Sequence, residues 1–111
     1  MTMNLTELQD FVKEELAHLT SLYPELYSDL EKRVYAQTVK LSEETGELSE
    51  AVLHHFNRLR KSKSGKTTCI EEEAADVIIV TMLICECLDI NIETALRNKI
   101  TKLKGRRALD R

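Results

Sequence analysis

The stretch EEEAADVIIVTMLICECL, Glu71 to Leu88, decides the fold. Its β-branched centre, Val77 to Val80, suits a buried strand, but its length and its opening are those of a helix. Thr68 with Glu71 three residues on has capping-box spacing. No other stretch reads as a strand to pair with it, so the chain reads as all-α. From Val77 to Cys85 this helix is apolar nearly all round, a pattern that belongs in the centre of a bundle or at a subunit interface.

Outward from that helix, three more are expected. Thr6 and Gln9 form a second capping box. Leu8, Phe11, Val12, Glu15, Leu16 and Leu19 then repeat at threes and fours, giving a first helix over about Leu5 to Leu22, ended by Tyr23-Pro24. A second runs from near Pro24 to about Lys61, with an apolar stripe of Val34, Leu41, Leu48, Val52, Phe56 and Leu59 and room for a break near Ser28. KSKSGKTT, residues 61–68, is a polar, flexible, basic loop. LDIN is a turn before a last helix over about Ile92 to Lys104, and residues 105–111 form a frayed tail. The expected architecture is a single-domain four-helix bundle over residues 1–111.

Composition agrees: helix formers dominate, with one proline, three glycines and no tryptophan in 111 residues. A chain this short buries a modest core, so the surplus of apolar helix surface points to a homodimer or homotetramer. A net charge of -3 does not suggest a nucleic-acid binder. The N-terminus has no secretory pattern and no apolar run is long enough to span a bilayer, so a soluble, cytoplasmic protein is expected. Three cysteines form no disulfide framework, and Cys85 and Cys87 point about 160° apart on one helix, so they cannot chelate one metal together.

LSEETGELSEA, Leu41 to Ala51, gathers four glutamates around a helix-interior glycine. Glu44 and Glu47 share a face on the flank of the apolar stripe, while Glu43 and Glu50 lie toward solvent. Glu73 and Asp76 repeat the three-residue spacing on the next helix. Four carboxylates brought together from two helices repel one another unless a cation sits between them, and oxygen donors suit a hard ion such as Mg²⁺ or Mn²⁺. The alternative is a solvated acidic face, with Lys40 and Arg58 near enough for surface pairs, and a row of glutamates complementing a helix dipole. Gly46, costly in a helix, suggests a close approach to the backbone there, and Asp76 enters an apolar run too deeply for capping to explain it.

EETGE, Glu43 to Glu47, a basic spacer, and EAAD, Glu73 to Asp76, resemble the E-E-x-x-E and E-x-x-D signature of the MazG-like, all-α nucleoside triphosphate pyrophosphohydrolases. The resemblance extends over about Val34 to Lys104, including GELSEAV and the last helix. It implies Mg²⁺-dependent hydrolysis of a nucleoside triphosphate between the α- and β-phosphates in nucleotide-pool house-cleaning. By position Glu44, Glu47, Glu73 and Asp76 would be metal ligands. Glu43 would serve a further metal or orient the attacking water, and Lys99 and Lys102 would meet the phosphates. The asparagine that often follows such a lysine has no clear counterpart, since Leu103 and Lys104 stand there. EAAD with Lys40 also resembles the phosphoribosyl-ATP pyrophosphohydrolases, although VIIV replaces the aromatic or His that usually follows.

The remaining signals carry less. SGKTT lacks the first glycine of a P-loop, since Arg60 stands there, and no strand precedes it. Arg58, Arg60, Lys61, Lys63 and Lys66 could steer a triphosphate or simply be a solvated linker. His54 lies within reach of the acidic face or at the surface, and Tyr27 and Tyr35 are candidates for base stacking or core packing. A helical oligomerisation or adaptor module with merely superficial acidic patches is the non-enzymatic alternative.

Overall fold

The computed structural model describes residues 1–56 and 69–110, all helix and short connections. The helices are α1 (Leu5–Leu22), α2 (Pro24–Tyr27), α3 (Leu30–His55), α4 (Ile70–Cys87) and α5 (Ile92–Leu109). The Glu71 to Leu88 stretch is therefore helical, its β-branched run overridden by packing on both sides. The basic loop 61–68, Thr68, Leu59 and the cations from Arg58 onward lie outside the described residues.

Local chemistry sets most boundaries. Asn4, not Thr6, caps α1, its side chain accepting from the Glu7 N–H at 2.9 Å. Pro24 then opens the single turn α2, where the missing N–H costs nothing. The break in the second expected helix falls at Ser28-Asp29, because Asp29 accepts from the Lys32 N–H at 3.0 Å and starts α3 anew. At the start of α4, Cys69 occupies the capping position without a side-chain cap bond.

After α4, Asp89 takes φ 57, and the N–H groups of Ile90 and Asp89 return to the carbonyls of Cys85 and Glu86, a Schellman closure. Asn91 caps α5 by accepting from the Thr94 N–H at 3.1 Å. That helix runs on through Gly105 to Leu109, so the expected frayed tail is helical as far as it is described.

The main packing is α3 along α4, with α1 laid on α4 and α2 bridging α1 and α3. The buried core is Val12, Met82 and Leu83, joined by Leu8, Leu16, Leu19 and Ile79 at its edge. The apolar surround of α4 is covered unevenly: Val80, Met82 and Leu83 are buried, whereas Ile78 is 53% exposed. α5 touches this core through Ile92 and buries none of its residues. The Cα radius of gyration is 17.1 Å, against about 13 Å for a compact chain of this length.

Candidate metal centre

Rotation of α3 about its axis places the site. The residues it turns inward are Gln37, Glu44 and Ala51, at seven-residue spacing: Gln37 and Ala51 are buried and Glu44 is half-buried. Of the expected apolar stripe, Val34, Leu41 and Leu48 are half-buried, whereas Val52 and Phe56 are exposed. Glu44 is thus in the contact face, not on its flank.

Across the helix pair, Glu44 lies next to Asp76 and Glu47 next to Glu73. As α3 advances by three residues α4 retreats by three, the order of an antiparallel pair. Glu44, Glu47 and Glu73 each bring a carboxylate oxygen within 4.8 Å of the others. Burial, then the charges of Asp76 and Glu47, hold the Glu44 carboxyl above its ordinary value, with Lys40 opposing. Burial and then the neighbouring Glu47 do the same for Glu73. One oxygen of Glu44 and one of Glu73 are shielded from solvent and meet no donor. Unpaired carboxylate oxygens that face one another are what a hard divalent cation requires, so the residues present fit such an ion.

The other candidates fall elsewhere. Glu43 is exposed and points outside this cluster. Lys99 and Lys102 are exposed on α5 and are neither in the carboxylate cluster nor in the wall of the cavity beside it. His54 pairs with Glu50 at 3.6 Å, one turn back on its own helix, and Glu50 is half-buried by that contact. Gly46 is exposed, and a Cβ there would meet nothing within 4 Å, so the expected close approach is not present in the chain. Gly46 and Glu44, two residues apart on a helix, face nearly opposite ways.

A cavity of about 350 Å³ opens beside the carboxylates, with Glu44 and Asp76 in its wall. Lys40 lines it too, a position that sequence reasoning left as a surface pair. So do Phe11 and Glu15 of α1. The only signal for them was a glutamate inside an otherwise apolar repeat.

A known family model matches the part of the chain that carries both acidic pairs. The model of the MazG nucleotide pyrophosphohydrolase domain matches residues 35–108. The chain belongs to this family. Among curated proteins, the MazG-family chain is 35% identical over 60 residues to the uncharacterized protein YpjD of Bacillus subtilis (strain 168), a match covering 54% of each. The chain thus spans about half the length of the curated relative it matches. No solved structure matches it. In this MazG domain the matched span contains Glu44, Glu47, Glu73 and Asp76, the inward line of α3, and α5 as far as Ala108.

Proposed function

We propose that this MazG-family chain is a Mg²⁺-dependent pyrophosphohydrolase that cleaves a ribo- or deoxyribonucleoside triphosphate to the monophosphate and pyrophosphate, with Mn²⁺ able to replace Mg²⁺. The observation that carries the reading is the pair of unmatched, shielded oxygens on Glu44 and Glu73 within the cluster Glu44, Glu47 and Glu73, beside a cavity that Glu44 and Asp76 line. Glu44, Glu47, Glu73 and Asp76 would hold the ion. When bound, the ion supplies positive charge against the phosphates and polarises the attacking water. Attack at the α-phosphorus breaks its bond to the α–β bridging oxygen, which leaves with pyrophosphate.

Around that centre the chain's own groups have distinct tasks. Lys40, in the cavity wall, offsets part of the carboxylate charge and can meet a phosphate oxygen. Glu43, exposed one residue before Glu44, would orient the incoming water or serve a further ion. Lys99 and Lys102 stand beside the exposed apolar line Leu96, Ile100 and Leu103 of α5 and would meet the phosphates in a homodimer or homotetramer. Removal of surplus or non-standard nucleotides in the cytoplasm is the role this reaction suits. Among the described residues no helix is long and apolar enough to cross a membrane.

The deciding experiment is pyrophosphate release with Mg²⁺ from a panel of ribo-, deoxyribo- and modified nucleoside triphosphates, with phosphoribosyl-ATP included and Asp76→Asn as control. Equal amounts of monophosphate and pyrophosphate, lost in the variant, are expected. Turnover of phosphoribosyl-ATP alone would move the assignment to that enzyme. A folded protein that turns over nothing and binds no Mg²⁺ would return it to a helical adaptor.

A further inference from the structure

We propose that the cavity beside the carboxylates is a nucleobase subsite, and that Gln37 reads the base through the unpaired oxygen of its amide. The proposal rests on the nucleotide reading above and names the part of the substrate that the carboxylates do not touch.

Gln37 is the most unusual residue of the core. It is 2% exposed on the inward line of α3, at a position where an apolar side chain of similar length would pack without penalty. Its Nε2 donates to the Tyr27 hydroxyl at 2.6 Å, while its Oε1 is shielded and meets no donor. Buried acceptors are rarely left unpaired, because nothing replaces the water they lose. Tyr27, itself buried, accepts from Gln37 and keeps its own O–H hydrogen to give away. Both residues stand in one cavity wall, Gln37 with a shielded oxygen that meets no donor and Tyr27 with a hydrogen still to give. The terminal amide torsion is soft, so the amide can turn Oε1 to the open side, giving up the Nε2 bond to Tyr27 as it does.

The rest of the cavity suits a flat heterocycle. Phe11 and Leu19 come from α1, and Ile79 and Leu83 come from α4. Apolar side chains on one side and orienting polar groups on the other, in a volume of about 350 Å³, can hold a small molecule, and here Glu15, Tyr27, Gln37, Lys40, Glu44 and Asp76 supply the polar share. Glu44 and Asp76 share the same wall, so a nucleotide can reach the metal centre with its phosphates while its base lies between the helices. Glu15 adds a second acceptor. Two acceptors are matched best by an exocyclic amino group, which carries two N–H hydrogens, with the neighbouring ring nitrogen accepting from Tyr27. Cytosine- and adenine-type bases fit that description better than uracil or thymine, whose pairing edge has a single N–H.

The test needs neither metal nor turnover. Adenosine, cytidine, uridine, their N,N-dimethylamino derivatives and ribose are titrated into the metal-free protein, followed by amide NMR shifts. Adenosine or cytidine is expected to bind at least tenfold tighter than ribose and tighter than uridine, shifting Gln37, Ile79 and Leu83. Dimethylation of the amino group, or Gln37→Leu in the protein, should reduce binding to the level of ribose. Equal binding of nucleosides and ribose, or indifference to dimethylation in the wild-type protein, would overturn the proposal even if Gln37→Leu did not fold. A companion assay separates it from the reaction. Pyrophosphate released equally well from ribose 5-triphosphate and from CTP or ATP would leave the hydrolase standing without a base subsite. Selective nucleoside binding without any pyrophosphate release would leave the subsite standing without the hydrolase.

Discussion

Glu47 on α3 and Glu73 on α4 hold carboxylate oxygens within 4.8 Å of each other, with a Glu44 oxygen equally near. Three anions so close are stable together only when protons or a cation intervene. The first prediction concerns the cation. At a hundredfold excess of Mg²⁺ over its dissociation constant, binding to the folded state alone adds about 2.7 kcal/mol of stability. Glu47→Gln and Asp76→Asn are expected to lose that gain and to reduce hydrolysis by about a hundredfold or more, with helicity and assembly unchanged. Thermal melts with and without Mg²⁺, beside pyrophosphate release, check both halves. Wild-type turnover in either purified variant would remove that residue from the centre.

Protons give the second prediction. Folding raises the Glu44 and Glu73 carboxyls above their ordinary value of 4.5, so the folded chain binds more protons than the unfolded one just above that pH. The stability they contribute is complete below 4.5 and is lost as pH rises through the raised folded values. With a chelator present, the melting temperature should therefore fall as pH is increased through the weakly acidic range. Glu44→Gln should flatten this slope, and added Mg²⁺ should reverse it by displacing the protons. A melting temperature that climbs with pH in the chelated wild-type protein would contradict the arrangement.

Gly46 supplies the third. Its surroundings are open, so a methyl group fits and only the helix cost of glycine remains. Gly46→Ala is expected to stabilise the chain by about 0.5–1 kcal/mol and to leave turnover within about twofold. Chemical denaturation and steady-state kinetics read the two effects. A variant that folds well but does not hydrolyse would show that something outside the single chain approaches α3 there.

The fourth concerns assembly. Leu96, Ile100 and Leu103 are each more than 40% exposed along one side of α5, a helix that buries nothing of its own. Light scattering should give two or four times the 12.8 kDa chain mass. Ile100→Glu should shift that mass toward the single chain, because a charge at the centre of an apolar contact is expensive to desolvate. A monomeric wild-type protein at working concentration would exclude the assembly.

Much of this was legible in the chain itself. The helical class, the span of α1, the turn before α5 and the spacing of both acidic pairs follow from rules acting within a few residues: caps, proline and the 3.6-residue period. Those rules also set which side chains share a face, so Glu44 with Glu47 and Glu73 with Asp76 could be paired on paper. The local rules were weaker where two signals compete. Asn4 outcompetes Thr6 as a cap, and Asp29 restarts a helix whose periodicity reads as continuous.

What the period cannot say is which way a face turns. The rotation that brings Gln37, Glu44 and Ala51 inward and leaves Gly46 and Phe56 outside is decided by how α3 seats on α4. So is the cavity, whose walls come from α1, α2, α3 and α4 and which sets Glu15, Tyr27 and Gln37, residues of no motif, beside Glu44 and Asp76. Spacing along a helix is a property of the backbone, and the sequence determines it alone. The direction of a helix face is a property of its neighbours, and only their packing decides it.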